Sequence, residues 1–429
     1  PGENTAAPVT TGRGGEVLVV TASTLALERT ILLQHSEEAD TPTSARGLPN
    51  YLGAAAISPD GLSAWVPSKQ DNIKRGTLRN GVGLNHDQTL RAIASRINLT
   101  TQAEDYAGRV DFDNAGMPSA AIFDPWGVYV FVALESSRAV AVVDAWSKEV
   151  ITRFDAGLAP QGLALSPDGR TLFVHNFMAR TVSVHDISSL VQGGSGTPVT
   201  LGVVNAINTE KLSATVLRGK QLFYDAADVR LALQEYIACA ACHNDGGHDG
   251  RTWDFTGVGE GLRNTITLRG HGNHGALHWS GNFDEFHDFE GQIRAFAGGT
   301  GLMSDAQFNA GTRNQPLGDP KAGVSADLDA LAAYMASLST ESNSPHRNND
   351  GTATAAAIAG ERVFRQQNCA ACHSGTAFTN SALNVFRDVG TIKQPTSGKR
   401  LNGALTGFDV PTLRVVWATA PYLHDGSAA

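Results

Sequence analysis

The sequence predicts a multidomain protein with an N-terminal all-β region of propeller-like blades, followed by mainly α domains. Three observations predict this fold class. A turn signature containing Pro and Gly recurs between short apolar runs before residue 190. Apolar residues after residue 209 follow helical spacing. All four cysteines lie in two copies of the pentapeptide Cys-Ala-Ala-Cys-His, both in the second part of the chain.

The N-terminal region, assigned to residues 1–190, contains three copies of the turn signature. They are ISPDG at 57–61, FDPWG at 123–127 and LSPDG at 165–169. Pro at the second and Gly at the fourth turn position suit a type I turn that closes a hairpin. The second and third copies begin 42 residues apart, at 123 and 165, a period typical of four-stranded propeller blades. The region has room for only about four blades, and a generic antiparallel β-sandwich is the alternative.

A stretch rich in Gly, Ser, Thr and Pro, residues 191–208, is predicted to be a linker. After it we expect one domain over residues 209–340 and a second over residues 341–429, each with one Cys pentapeptide. Helical spacing of apolar residues occurs in four segments, Leu212–Phe223, Asp284–Phe296, Ala326–Leu338 and Ala355–Gln367.

Composition excludes several classes of protein. The 429 residues include 33 Lys+Arg and 42 Asp+Glu, a net charge of −9. This acidity argues against a nucleic-acid partner, since phosphate binding needs a basic surface. No apolar run approaches the roughly 18 residues that span a bilayer, so the chain is not expected to cross a membrane. Because no apolar leader follows Pro1, we expect a mature or trimmed product.

The two pentapeptides predict covalent cofactor attachment. A C-x-x-C-H motif binds c-type haem, with its thiols added to the porphyrin vinyl groups and its His as the proximal iron ligand. The thiols are Cys239 and Cys242 in the first copy and Cys369 and Cys372 in the second, and the ligands are His243 and His373. A zinc site would need four clustered ligands, and a redox C-x-x-C would not explain the two histidines. Haem c is attached outside the cytoplasm, so we expect a periplasmic or extracellular (cell-surface) protein.

Further motifs surround the pentapeptides. LRGKQLF at 217–223 precedes the first, and Arg263-Asn264 and Trp279 follow it. VPTLR at 410–414 and TAPYLHDG at 419–426 follow the second. Over about residues 215–429 the sequence resembles the bacterial dihaem cytochrome c peroxidase/MauG family, joined to a propeller of YVTN-type repeats. The resemblance implies that the mainly α half consists of dihaem cytochrome c domains.

The resemblance also implies a calcium ion between the haem domains. Its ligands would be the Asn264 side chain and backbone carbonyls of Thr419 and Pro421, and oxygen ligands suit Ca²⁺. Trp279 corresponds to the family's electron relay between the haems. The alternatives are an ordinary turn Asn and a core aromatic residue.

The sequence departs from the family at the distal side of the first haem. The family has a distal Glu immediately before a Met, whereas Leu302 precedes Met303 here, and Leu cannot transfer a proton. Glu285 and Glu290 are candidate catalytic replacements, with solvent-facing helix carboxylates as the alternative.

A histidine-rich run offers candidate distal ligands for the first haem iron. We favour His271 or His274, in a run that also contains His278 and His287; a polar loop is the alternative. In the family, the Met or Tyr ligand of the second haem would fall beyond Ala429, so we expect the sequence to be a portion of a longer chain.

Together these features predict a dihaem c-type oxidoreductase. Electrons from a small donor protein, a cytochrome or cupredoxin, would enter at the haem on His373, pass Trp279, and reduce hydrogen peroxide or oxidise a substrate at the haem on His243. A non-catalytic dihaem electron-transfer or docking protein is the main alternative, because Leu302 replaces the distal Glu. A third possibility is MauG-like modification of a protein docked on the propeller-like region, an interpretation from fold analogy alone.

Overall fold

A computed structural model describes residues 15–270, 275–340 and 344–428. The candidate distal ligands His271 and His274 lie outside the described residues. Within the described ranges, no helix has both the length and the apolar character needed to cross a membrane.

The N-terminal region begins with a hairpin and a larger antiparallel sheet. Strands β1 (Glu16–Thr21) and β2 (Ala26–Leu32) form the hairpin. The sheet has the order β3-β5-β6-β7, with β4 paired to β5. Its strands are β3 (Leu48–Asn50), β4 (Ala56–Ile57), β5 (Ser63–Asp71), β6 (Leu90–Asn98) and β7 (Ala103–Phe112).

Two four-stranded antiparallel sheets follow, each with its strands in chain order. The first contains β8 (Pro118–Phe123), β9 (Tyr129–Leu134), β10 (Ala139–Asp144) and β11 (Val150–Asp155). The second contains β12 (Pro160–Leu165), β13 (Thr171–Asn176), β14 (Thr181–Asp186) and β15 (Val199–Asn205). Strand β8 packs against both β5 and β12. The first strands of the two sheets therefore meet, as in the blades of a propeller.

The repeated turn signature closes a hairpin in each of the three sheets. The three turns join β4 to β5, β8 to β9 and β12 to β13. In each, the glycine N–H donates to the carbonyl three residues earlier; Gly61, for example, donates to Ser58 over 2.8 Å. Gly61, Gly127 and Gly169 have φ values of 70°, 73° and 67°, a left-handed conformation that favours Gly.

The segment predicted as a linker, residues 191–208, contains regular structure. Helix α1 (Ser188–Gly193) runs into it, and β15 lies within it. Strand β15 pairs with β14 along its length, from Thr181–Asn205 to Asp186–Val199. The third blade-like sheet therefore extends to Asn205.

The C-terminal half contains short helices joined by long irregular segments. The helices are α2 (Ala214–Phe223), α3 (Ala240–His243), α4 (Phe289–Ala295), α5 (Asp305–Phe308), α6 (Ala326–Ser337) and α7 (Ala355–Gln366). Two small hairpins accompany them, β16 (Thr252–Asp254) with β17 (Leu262–Asn264), and β18 (Lys399–Arg400) with β19 (Gly403–Ala404).

The predicted fold class is wrong in its second part. The described chain is 30% strand and only 19% helix, in seven helices, and no all-α dihaem cytochrome domain is present in it. Helices do occur within the segments that have helical apolar spacing, but they cover a minority of residues 209–429. Between them, irregular backbone is held by bonds to side chains, as where Leu302 and Met303 donate to Glu290. Such segments have no period for a sequence pattern to detect.

Helices α2 and α6 pack closely and form one side of the site described below. Each begins at a serine cap, where Ser213 accepts from the Val216 N–H and Ser325 from the Leu328 N–H. At their contact, a Cβ on Gly219 would lie 1.8 Å from the Ala330 carbonyl oxygen. The sequence needs Gly there so that the two backbones can approach.

Candidate functional site

The first pentapeptide forms a single tight helical turn, α3. The N–H groups of Cys242 and His243 both donate to the Cys239 carbonyl, over 3.2 and 3.0 Å. Both cysteines are unpaired. This turn brings the side chains of Cys239, Cys242 and His243 to the wall of one cavity.

The cavity has a volume of about 720 Å³. Residues of α2, α4 and α6 line it, together with loop residues of both predicted cytochrome domains. Its aromatic wall comprises Trp253, Phe255, Phe283, Phe286, Phe289 and Phe296. An apolar wall with two thiols and one imidazole fits a flat macrocycle such as haem.

His243 has the protonation state and orientation of a metal ligand. Its Nδ1–H donates to the Gly247 carbonyl over 3.2 Å, which leaves the lone pair on Nε2. Burial lowers the pKa of His243 to about 4, so the imidazole is neutral at pH 7. The cysteines differ, since burial raises the pKa of Cys239 to about 11 and that of Cys242 well above its ordinary value.

The second pentapeptide repeats this geometry on a more exposed surface. Cys372 and His373 donate to the Cys369 carbonyl over 3.2 and 3.0 Å, and His373 Nδ1–H donates to the Phe378 carbonyl over 3.1 Å. Helix α7, which precedes it, has no buried residue. Its apolar side chains Ile358 and Val363 are 45% and 55% exposed. The two motifs thus share the hydrogen bonds of their turn and differ in their enclosure.

The described parts of the chain contain no metal site of the clustered, zinc-like kind. No three His, Cys, Asp or Glu side chains there are placed to hold a metal ion. Each pentapeptide therefore supplies its ligands without a zinc-type cluster around it.

His278 lies in the same cavity as His243, and a chain of hydrogen bonds fixes its tautomer. The Glu260 carboxylate can only accept, so it binds Asn282 Nδ2 (3.0 Å), which turns the Asn282 oxygen toward His278 Nδ1 (2.8 Å). His278 Nδ1 therefore carries the proton, and the lone pair is on Nε2. Among the described residues, Nε2 has no hydrogen-bond partner.

Trp279 connects the two predicted cytochrome domains. Its indole N–H donates to the Asn264 carbonyl over 2.7 Å, and its own carbonyl accepts from the Asp409 N–H over 2.8 Å. Its ring lines the cavity, as do Val410 and Pro411 of the second domain. This position, at the cavity wall and between the halves, is compatible with a relay.

The predicted calcium ligands are only partly brought together. Asn264 Nδ2 contacts the Pro421 carbonyl and lies 3.4 Å from that of Leu423, while Asn264 Oδ1 is buried without a partner. Rotating the amide by 180° would direct Oδ1 at these carbonyls, an arrangement that needs a cation between them. Asn264 and Pro421 fit the ion. The Thr419 hydroxyl and N–H both donate to the Val416 carbonyl, over 3.3 Å, and a ligand role for its own carbonyl stays a prediction.

The two candidate catalytic glutamates lie outside the cavity wall. Glu290 is fully buried, accepts from the N–H groups of Leu302 and Met303 at 2.8 and 3.1 Å, and pairs with Arg294 at 2.9 Å. Glu285 accepts from the Lys321 N–H over 2.7 Å. Their oxygens thus hold loops together and are not directed at the thiols and imidazole.

The structure places two further polar groups in the cavity that the sequence did not indicate. Gln292 of α4 lines it, and its buried Oε1 has no hydrogen-bond partner among the residues that the structure describes. Asp409 lines it as well and accepts from Ser381 Oγ over 2.7 Å; burial raises the pKa of Asp409 to about 6. Gln292 lies in no motif. Asp409 directly precedes VPTLR, and this position is its one signal in the sequence.

Comparison with known proteins gives relatives for half of the chain. No protein-family model matches it. Hydrazine synthase subunit gamma of Kuenenia stuttgartiensis is 29% identical over 257 residues, 50% of this chain and 67% of its own. Cytochrome c551 peroxidase of Nitrosomonas europaea is 26% identical over 262 residues (53% and 72%). The methylamine utilization protein MauG of Methylophilus methylotrophus is 27% identical over 237 residues (49% and 67%). These relatives support the resemblance stated above and, more generally, a haem-containing oxidoreductase.

Solved structures give weaker likenesses. Hydrazine synthase of Kuenenia stuttgartiensis matches with 25% identity and a TM-score of 0.33, over 52% of this chain and 77% of that one. The β-propeller domain of Cps50 (Swd1) from Myceliophteria thermophila matches with 13% identity and a TM-score of 0.25, over 45% and 67%. The blade-like architecture therefore rests on the strand pairing described above.

Proposed function

We propose that the protein is a dihaem c-type oxidoreductase. One observation carries the proposal: a neutral His243, with its lone pair on Nε2, lies beside two free thiols on the wall of a large apolar cavity. Haem bound there would supply redox-active iron. Cys239 and Cys242 would hold it covalently, His243 would be the proximal ligand, and the aromatic wall would exclude water.

The second haem would be held by Cys369, Cys372 and His373, in a domain spanning residues 341–429, with the first in a domain spanning 209–340. The greater exposure of the second motif favours it as the entry point for electrons from a small donor protein, a cytochrome or cupredoxin. Trp279 would relay electrons between the haems, since it contacts both domains.

The substrate of the first haem would be hydrogen peroxide or an oxidisable compound. With Leu302 in place of the family's Glu and with Glu285 and Glu290 bound elsewhere, another group must accept or donate protons. His278 suits this role, because its Nε2 lone pair is free and its tautomer is fixed by Asn282. Gln292 Oε1 would orient a polar substrate beside it.

A calcium ion would tie the two domains together through Asn264 and the carbonyl of Pro421, with Thr419 as a further predicted ligand. Covalent haem would place the protein in the periplasm or outside the cell. The β region, residues 1–190 in the predicted division, would then be available for protein docking.

The proposal is tested on the holoprotein. We expect two haems per chain by pyridine haemochrome assay and intact mass, and peroxide-dependent oxidation of a reduced donor. His278→Phe should lower turnover by about 10²–10⁴-fold, the usual contribution of a general acid or base, with haem content unchanged. His35→Phe, a buried histidine outside the cavity, is the matched control. A haem-free protein, or two haems with no peroxide turnover and no substrate oxidation, would refute an enzyme.

A second function, electron transfer without catalysis, is favoured by a specific observation. None of Leu302, Glu285 and Glu290 offers a carboxylate to the cavity. An EPR spectrum of the oxidised protein separates the two functions. Entirely low-spin signals indicate a carrier, whereas a high-spin component indicates an open catalytic site.

A further inference from the structure

A buried ion network joins the β region to the loop that follows the first Cys pentapeptide. Lys69 Nζ, on β5, lies 2.8 Å from Asp71 Oδ1 and 3.3 Å from Asp249 Oδ2. Arg251 Nε lies 2.8 Å from Asp71 Oδ2. The four side chains are at most 2% exposed. Two cations and two anions therefore balance in the interior.

Neutral groups complete the network from both sides. Asn50 Nδ2, on β3, donates to Asp71 Oδ2 over 2.8 Å and to the Asp249 carbonyl over 3.0 Å. Trp253 donates its indole N–H to Asp249 Oδ2 over 3.0 Å, and Trp253 also lines the cavity. The network is thus rigidly held, and one of its members reaches the cavity wall.

The network also reaches the haem-binding motif. Tyr51 OH, next to β3, donates to the Cys242 carbonyl over 3.1 Å, and Lys69 Nζ lies 4.7 Å from the centre of the Tyr51 ring. Tyr51 therefore connects the charges of β5 to the backbone of Cys242, whose sulfur would be bonded to the macrocycle.

A buried ion network is weak evidence for stability, because desolvation offsets the attraction between its charges. Its fixed field, however, acts strongly in a low-dielectric interior. Reduction of a nearby iron adds one electron, and a neighbouring cation favours the reduced state while an anion disfavours it. Lys69 and Asp71 belong to a network that reaches the Cys242 backbone through Tyr51 and the cavity wall through Trp253. This position suits control of a redox equilibrium.

We propose that Lys69 and Asp71, which belong to the β region, set the reduction potential of the first haem through their network with Asp249 and Arg251. The inference rests on the proposed dihaem function. If it holds, the β region contributes side chains that act on the first haem. Lys69 and Asp71 are positioning residues, since the proposed contact with haem is made by Cys242.

The test uses two single variants that break the same network with opposite charge changes. The reduction potential is measured by spectroelectrochemical titration of the holoprotein, in which the titrant supplies the one electron and no proton moves. Lys69→Met should lower the potential of the first haem, and Asp71→Asn should raise it. We expect about a tenfold change in the ferric-to-ferrous ratio in each case, or about 59 mV. The double variant Lys69→Met/Asp71→Asn should return toward the wild-type potential, and Lys69→Arg should retain it.

Internal controls separate the possible outcomes. The second haem should not shift in any variant, nor should either haem in Lys74→Met, whose ion pair with Glu37 lies at the surface. Structural loosening alone would shift the first haem in the same direction in both variants, and this result would overturn the inference, as would no shift. If one single variant does not fold, the sign in the other decides. Absence of haem from the wild type would refute the proposed function instead.

Discussion

Glu290 offers a test of whether a buried carboxylate holds a loop or performs catalysis. It is fully buried on α4, pairs with Arg294 at 2.9 Å, and accepts the N–H groups of Leu302 and Met303. We predict that Glu290→Ala strongly destabilises the protein, whereas Glu290→Gln has a smaller effect and leaves turnover almost unchanged.

The magnitude follows from the groups left behind. Alanine would leave two buried backbone donors unsatisfied, at about 1–3 kcal/mol each. Arg294 would lose one partner but keep its bonds to Asp305 and the Met303 carbonyl, both of 2.7 Å. Breaking a buried pair typically costs about 3–5 kcal/mol, and we expect about 3–4 kcal/mol here. Glutamine retains one acceptor oxygen, so its cost should be about 1–2 kcal/mol.

The chain provides a matched control for this change. Glu361 and Arg365 on α7 form the same i,i+4 pair at 2.8 Å, but Glu361 is 60% exposed. Glu361→Ala should therefore cost at most about 0.5 kcal/mol. Denaturant unfolding gives the free energies, and amide hydrogen exchange at Leu302 and Met303 reports the local loss. Equal effects of Glu290→Ala and Glu361→Ala would refute the reasoning, and loss of turnover in a stable Glu290→Gln variant would restore Glu290 as a catalytic residue.

Three further predictions concern packing and pH. Gly219→Ala should destabilise the α2–α6 contact by about 1–3 kcal/mol, because the added Cβ would meet the Ala330 carbonyl. Gly360→Ala should stabilise α7 by about 0.5–1 kcal/mol, because nothing lies within 4 Å of the added Cβ. Thermal unfolding compares the two variants. Burial raises the pKa of Asp409 to about 6, so the folded protein binds this proton more tightly than the unfolded chain does. The free energy of unfolding should therefore fall by about 1–3 kcal/mol as pH rises from about 4 to 6, and Asp409→Asn should remove this fall. Burial lowers the pKa of His424 to about 4, so the free energy of unfolding should fall as pH drops from 6.5 toward 4, and His424→Gln should remove this loss. Unfolding free energies are measured from pH 4 to 7. If both variants keep the pH dependence of the wild type, both assignments are contradicted.

Local signals in the sequence predicted elements whose causes are local. Helices α2, α6 and α7 lie within the predicted segments because caps such as Ser213 and Ser325 and the apolar spacing act over a few residues. The three turns that close hairpins in the blade-like sheets could be predicted from the sequence for the same reason. Strand β15 could not, because its pairing with β14 is a tertiary contact within a stretch whose composition is typical of a linker.

The site was predictable where chemistry dictates spacing. Cys239, Cys242 and His243 adopt one turn because the motif itself closes it. Which polar groups share the cavity with them was not predictable. The tautomer of His278 is fixed by Asn282 and Glu260. The Glu290 carboxylate accepts hydrogen bonds from residues twelve and thirteen positions away. These relations depend on which side chains the folded backbone brings together.

The network between β5 and the loop after the first motif also bears on how such a chain can evolve. Asp249 and Arg251 find their counter-charges in Lys69 and Asp71, respectively, on the other side of the predicted domain boundary. A C-terminal half joined to an unrelated module would carry a buried anion and cation without these partners. Exchange of the β region by recombination would therefore require compensating substitutions around the first Cys pentapeptide. The network thus couples two parts of the chain that the sequence presents as separable modules.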